Sequence, residues 1–158
     1  RGQPHGTVCG LSRVLVRSRG PRVLALRDAR KPRGQGQTRV LEFLKTVPQV
    51  ESLIFPLDPS FSQYELAKRQ MKGASGLISF YIKAENIESI EKFCNSLKAF
   101  RMAVSWGGHE SLIIPKCAGI KPSEFDVNNP THRLIRLYIG LEEPDFLIND
   151  LSKGFSGV

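Results

Sequence analysis

Leu134-Ile-Arg-Leu-Tyr-Ile139 is the stretch on which the reading of the fold turns. Strand residues point alternately to two faces, which puts Ile135, Leu137 and Ile139 together and Leu134, Arg136 and Tyr138 opposite them. One face is wholly apolar and the other carries an arginine, as expected of a strand packed on helices on one side only. Downstream, Pro144 suits the first turn of a helix because its missing N–H would have no partner there. Phe146, Leu147 and Leu151 then share a face, and Gly154 reads as the stop.

Working upstream, the pattern alternates between short strands and amphipathic helices. Val40, Leu41, Leu44 and Val47 recur at helical spacing until Pro48. Ser52-Leu-Ile-Phe55 is a short β-rich run, residues 57–62 read as a loop, and a helix is expected over about 63–72. Leu77-Ile-Ser-Phe-Tyr-Ile82 is so continuously apolar that it predicts a strand buried on both faces. Asn86 is placed to cap a helix whose stripe is Ile87, Ile90, Phe93, Cys94 and Leu97. Glu85, Glu88 and Glu91 crowd its start, and Lys98 and Arg101 its end, as the helix dipole favours. Short strands are predicted over Met102–Ser105 and Ser111–Ile114, around Gly107-Gly108, and residues 115–132 are polar and irregular. The order helix, β, α, β, α, β, β, β, α gives a two-layer α+β sandwich with helices on one face of the sheet.

Composition adds a division within the chain. Its 158 residues carry a net charge of +8 and are 41% hydrophobic, enough for one domain with a core. Residues 1–40 hold nine Arg and one Lys against Asp28 alone, and no Ile, Phe, Tyr or Trp. Residues 41–158 are close to neutral and hold every aromatic ring except the histidine at position 5. The expectation is a poorly ordered Arg/Gly-rich leader, residues 1–38, ahead of a folded domain, residues 39–158. The leader has no long apolar stretch for a secretory signal, and its glycines and prolines weaken the amphipathic helix of a transit peptide. Cys9, Cys94 and Cys117 lack the paired spacing of a disulfide framework or zinc site, and His5, His109 and His132 show no metal-ligand spacing. A reducing, cytoplasmic setting is expected, with no membrane span.

Arg136 stands out as a candidate binding residue. A guanidinium flanked by apolar residues is costly to bury without an anion, and a carboxylate matches its fork. The alternatives are an ion pair with one of the chain's own acids, or simple exposure. Ser105-Trp-Gly-Gly-His-Glu-Ser111 is the second candidate, since two glycines let backbone amides approach a ligand beside the only tryptophan. It also reads as a tight connection between strands, with Trp106 in the core. A hydrolase triad does not fit, because adjacent His109, Glu110 and Ser111 point to opposite faces of a strand and Ser105 lacks the flanking glycine pattern of a nucleophile elbow. Gly73-Ala-Ser-Gly76 lacks the Lys-Ser/Thr of a phosphate loop. Cys117, in the polar stretch, reads as a candidate reactive thiol, though nothing near it argues for a lowered pKa. Lys68, Arg69 and Lys72 form a basic helix face.

Four segments in order carry a resemblance: Tyr64-Glu-Leu-Ala-Lys-Arg-Gln70, Gly76-Leu-Ile-Ser-Phe80, Ala103-Val-Ser-Trp-Gly-Gly-His-Glu-Ser-Leu112 and Leu134-Ile-Arg-Leu-Tyr-Ile-Gly-Leu-Glu142. Residues 39–155 resemble the C-terminal domain of the pyridoxal-phosphate-dependent Cys/Met metabolism (trans-sulfuration) enzymes, which include cystathionine lyases, cystathionine γ-synthase and methionine γ-lyase. The resemblance implies a mostly antiparallel sheet. It implies that Arg136 holds the substrate α-carboxylate and that Ser105 lies near it. Trp106 follows that serine as in bacterial cystathionine β-lyases, where the γ-enzymes usually have leucine. The chemistry implied is β-elimination from L-cystathionine to homocysteine, pyruvate and ammonia, with the cofactor as electron sink. A sulfur-containing amino acid as substrate and a homo-oligomer, a tetramer, in the full-length parent are implied as well.

The resemblance also has gaps. No Ser-x-Thr-Lys lysine segment, Tyr-x-Arg phosphate contact or recognisable pyridine-nitrogen Asp is found, and Ser89-Ile-Glu-Lys92 keeps only the Ser-to-Lys spacing. The expectation is a fragment that neither holds pyridoxal phosphate covalently nor turns over substrate alone, with no catalytic residue of its own. Arg19-Gly-Pro-Arg-Val-Leu-Ala-Leu-Arg27 looks like a damaged copy of a family stretch, and the pattern breaks over Asp28–Gln37 before returning at Arg39. A γ-lyase or γ-synthase of the same family is the alternative enzyme. Nucleic-acid binding through the cationic leader is the alternative of another class, disfavoured because the leader has no aromatics.

Overall fold

The computed structural model describes residues 34–157, so the expectations for residues 1–33 lie outside the described residues. The elements in chain order are α1 (Gly34–Thr46), β1 (Val50–Ile54), α2 (Tyr64–Gln70), β2 (Leu77–Ile82), α3 (Ile87–Ser96), β3 (Arg101–Met102), β4 (Leu112–Pro115), β5 (Leu134–Tyr138) and α4 (Pro144–Phe155). Short 3-10 turns, Pro122–Glu124 and Pro130–Arg133, interrupt the polar stretch before β5. The order and the α+β class are those the sequence predicts. One five-stranded sheet runs β1-β2-β5-β4-β3, antiparallel throughout except for the parallel β3–β4 pair.

One face of the sheet makes the core. Ile78, Phe80 and Ile82 of β2, Ile135 and Leu137 of β5 and Ile113 of β4 meet Val40, Leu41 and Leu44 of α1, Ile87, Ile90 and Phe93 of α3, and Leu147, Leu151 and Phe155 of α4. Phe93 and Phe155 stack with centroids 4.5 Å apart, and Phe80 contacts both rings from the sheet side. Each fully buried side chain of this kind contributes roughly 1.5–3 kcal/mol relative to exposure. The opposite face is different. Leu77, Ser79 and Tyr81 stay half-buried, so β2 is not covered on both sides as its apolar run predicts. Covering both faces is a property of parallel sheets, and β2 is antiparallel to both neighbours.

Asn86 caps α3 as expected, its Oδ1 accepting from the Ser89 backbone N–H. Other boundaries move for identifiable reasons. The helix α1 already includes Gly34–Thr38, where the sequence suggested a broken pattern; Gly36 sits where a Cβ would lie 3.6 Å from Pro144, a close but ordinary contact. Lys98 and Arg101 fall beyond α3, because Asp150 of α4 accepts from the Lys98 and Ala99 backbone N–H groups and ends the helix earlier. Gly154 does not stop α4 but lies inside it: a Cβ there would come within 2.7 Å of Leu97 and 3.1 Å of the Phe93 ring, so the glycine lets α4 close onto α3. Phe146 is exposed while Leu147 and Leu151 are buried. In the loop ahead of α2, Asp58 is buried and pairs with Lys45 of α1 while accepting from the Ser60 N–H.

The parallel β3–β4 pair sets up the site. Parallel neighbours normally need a crossover of about a dozen residues or more. Here β3 is two residues long, so the chain has little distance to recover, and residues 103–111 return without a helix. Gly107-Gly108 lie in that return, not in a hairpin.

Candidate functional site

On the open face of the sheet, register aligns Ser79, Arg136 and Ile114 in one row and Leu77, Tyr138 and Leu112 in the next. Arg136 is therefore carried by the central strand, flanked on both sides by paired neighbours, and is half-buried. Its Nη2 donates to the Val104 carbonyl at 2.8 Å, and its guanidinium carbon lies 4.5 Å from the centroid of the Trp106 ring. No carboxylate among the described residues forms an ion pair with it. Trp106 is 54% exposed, so it is not the core residue a tight strand connection would make it. A cation over an exposed indole contributes about 0.5–1 kcal/mol.

The loop that brings Val104, Ser105 and Trp106 to Arg136 is tied down along its length. The Tyr138 hydroxyl donates to Gly108 O at 3.1 Å, and the Leu141 N–H donates to His109 O at 2.8 Å. Ser111 is fully buried: its N–H and hydroxyl both donate to the Glu142 carboxylate, each at 2.9 Å, while the hydroxyl accepts from the Gly140 N–H. Gly107 adopts φ +96°, a left-handed conformation that a side chain disfavours, and this turns the loop back toward β4. Ser105, exposed, stands between the two residues that touch Arg136.

Arg136, Ser105 and Trp106 are thus brought into one neighbourhood. The His109–Glu110–Ser111 triplet is not: Nδ1 of His109 lies 3.1 Å from Glu110, while Ser111 turns inward to Glu142. Cys117 is buried, as is Cys94, whose thiol pKa is pushed up by burial and then by Cys117 and Glu91, so neither is placed for attack. Lys68 lies over the Tyr64 ring and near Glu65, a solvated helix face. The Ser111–Glu142 latch and the Tyr138–Gly108 bond escaped sequence reasoning, because nothing in spacing links residues 111 and 142.

These observations define an α+β sandwich that presents an arginine and a glycine-containing loop on the open face of its sheet. The sequence matches the profile of the Cys/Met metabolism PLP-dependent enzymes over residues 3–156, and the chain belongs to that family. It is 36% identical over 159 aligned positions to cystathionine β-lyase MetC of Escherichia coli K12, covering 97% of this chain and 39% of that protein. It is 42% identical over 118 residues to bovine cystathionine γ-lyase, covering 72% of this chain and 29% of that one. A crystal structure of cystathionine γ-lyase from Lactobacillus plantarum complexed with L-serine superposes with a TM-score of 0.66 at 30% identity, over 78% of this chain and 33% of that one. The chain spans less than half the length of these relatives.

The family is pyridoxal-phosphate-dependent, which poses a chemical question to the residues described. A lysine that forms an imine needs a desolvated amine with a depressed pKa. Lys45 is driven the other way, held above its ordinary value by hydrogen bonds to Asp58 and then Glu42. No lysine stands on the open-face rows beside Arg136 or in residues 103–111. In Ser89-Ile-Glu-Lys92 the serine is committed to the Asn86 cap. Neither Lys45 nor the Ser89–Lys92 segment is thus set up for covalent attachment of the cofactor. No helix among the described residues is long and apolar enough to cross a membrane.

Proposed function

We propose that this chain is the substrate-carboxylate-binding part of a pyridoxal-phosphate-dependent carbon–sulfur lyase, with L-cystathionine as substrate and homocysteine, pyruvate and ammonia as products. The observation that carries it is Arg136, a half-buried guanidinium on the open sheet face with no carboxylate partner among the described residues. A planar fork fixed at one edge by Val104 O and at one face by Trp106 has its remaining donors pre-oriented, which suits a bidentate carboxylate. Holding the α-carboxylate fixes the orientation of the α-carbon, where elimination begins. Ser105, on the same loop, is read as adding a hydroxyl to the same group. The L-serine complex of the Lactobacillus plantarum relative supports an α-amino acid as the ligand class.

Relatives of both β- and γ-lyase type are found, and the resemblance of Ser105-Trp106 to the bacterial β-lyase motif favours β-elimination. In this reading the lysine that carries the cofactor lies outside residues 34–157, those residues alone are inactive, and the working enzyme is homo-oligomeric and cytoplasmic. The test replaces the matching segment of the Escherichia coli β-lyase with residues 34–157 and supplies L-cystathionine. Pyruvate as the keto acid, lost on Arg136→Gln, is the expected result. Release of α-ketobutyrate would assign γ-elimination, and turnover by the unfused chain with pyridoxal phosphate would overturn its inactivity.

A further inference from the structure

Every second residue from Arg136 onward reaches the loop of residues 103–111. Arg136 bonds Val104 O, Tyr138 bonds Gly108 O, the Gly140 N–H meets the Ser111 hydroxyl, and Glu142 receives both donors of Ser111. The period of two belongs to a strand, and it continues past the end of β5 into residues 139–142, where Ile139 still donates to Gly76 O and Leu141 to His109 O. The Arg136 contacts at the head of the loop hold Trp106 by stacking alone. The contacts at its tail are better donors and acceptors: a buried serine hydroxyl that both donates and accepts, and a carboxylate that accepts two hydrogen bonds, the charge-assisted kind.

From this, and resting on the carboxylate-binding reading of Arg136, we propose that Tyr138 and Glu142 are positioning residues. They set the height of the 103–111 loop over the open face, and so hold the Trp106 indole on the Arg136 guanidinium. Gly107 is what makes the division necessary. Its left-handed backbone is the turn between the stacked head of the loop and its latched tail. Tyr138 fixes the first residue after that turn, and Glu142, through Ser111, fixes the point where the loop re-enters the sheet. With both in place, Trp106 has little freedom to leave the guanidinium. With either gone, the indole swings into water and the fork loses one face of its support.

The loop contains the only tryptophan in the chain, which makes its position directly measurable. In the unliganded chain, Tyr138→Phe and Glu142→Gln are expected to raise the acrylamide quenching of Trp106 towards that of Arg136→Gln. The ceiling is about twofold, because Trp106 is already 54% exposed. Titration with L-cystathionine then reads the consequence, with affinity about three- to tenfold weaker in each variant, the worth of one hydrogen bond. A purely structural role would lower the unfolding midpoint and leave the indole signal alone. Unchanged quenching in both variants overturns the inference, whatever the ligand does. Increased quenching in both, with no response of the unaltered chain to L-cystathionine, supports the positioning and overturns the carboxylate reading instead. Tyr138→Phe deletes a single exposed hydroxyl, so the test survives if Glu142→Gln does not fold.

Discussion

Replacing Gly140 with alanine puts one methyl group into the latch that closes the loop onto the sheet. An ideal Cβ at this position would fall inside contact distance of His109 O, 2.5 Å from Glu142 Oε2 and 2.6 Å from the Glu110 carbonyl carbon. Comfortable contact begins near 3.5 Å, so segments 109–111 and 140–142 must separate by about 1 Å. Two of the three obstacles are backbone atoms, which no rotamer change can move. A separation of that size stretches Leu141 N–H to His109 O from 2.8 Å, and Gly140 N–H to the Ser111 hydroxyl from 2.9 Å, beyond bonding distance. Losing two or three bonds at about 1 kcal/mol each gives a destabilisation of roughly 2–3 kcal/mol, enough to weaken the domain without abolishing folding. Urea denaturation followed by circular dichroism measures the total, and hydrogen exchange at the Leu141 and Ser111 amides localises it. Two other glycines calibrate the result. Gly107→Ala meets no neighbour within 4 Å but has φ +96°, so strain alone costs about 1–2 kcal/mol. Gly73→Ala meets neither obstacle and should be neutral or stabilising by up to about 1 kcal/mol. Equal stabilities for the Gly140 and Gly73 variants, with the two amides still protected, would refute the reasoning.

The remaining predictions concern charge and thiol chemistry. Lys45→Met should destabilise by about 2 kcal/mol at pH 7, a buried pair broken but discounted for a partly exposed lysine, as measured by urea titration. Burial alone would raise the Asp58 carboxyl, yet hydrogen bonds from Lys45 and Ser60 outweigh it and hold it below its ordinary value. Its stability contribution is thus present above the unfolded value near ~3.9 and disappears as pH falls through the folded value, where wild type and variant should converge. The Lys45 amine is raised, so its share holds below about 10.4 and fades as pH climbs through the folded value. Arg136→Lys keeps the charge but loses the fork and the stacking plane, and should weaken L-cystathionine about tenfold by Trp106 fluorescence, whereas affinity equal to wild type would show that charge alone suffices. Cys94 and Cys117 should resist a thiol reagent until urea unfolds the chain, at a rate following global unfolding.

What was legible in the sequence was what depends on neighbours along the chain. Alternation in residues 134–139 put Arg136 opposite the core, and Asn86 announced its cap, because period-two geometry and capping act within a few residues. Features set by distant partners were hidden. Gly154 resembles a helix stop until Leu97 and Phe93 are seen against it, and Lys98 resembles a helix end until Asp150 takes its amide. The apolar run in β2 signals a strand but not the number of faces covered, which depends on where the helices settle. Trp106 could be read as core or as site, and only the short parallel return from β3 to β4 decides that it lies on Arg136. Glu142 stood in a recognised segment, but its link to Ser111 across the sheet end has no local signature.

The last strand in the sequence is the middle strand of the sheet. During synthesis, the β1–β2 pair and the β4–β3 pair are made first, and no strand bridges them until residues 134–138 emerge. Closure joins Ser79 to Arg136 and Ile114 to Arg136 in one event, a step of high contact order that pays its chain entropy late. Truncation between Pro115 and Leu134 leaves two half-sheets whose edges invite pairing with other chains. The domain therefore acquires its arginine and its continuity together: Arg136 stands between two strands only once β5 has joined β2 to β4.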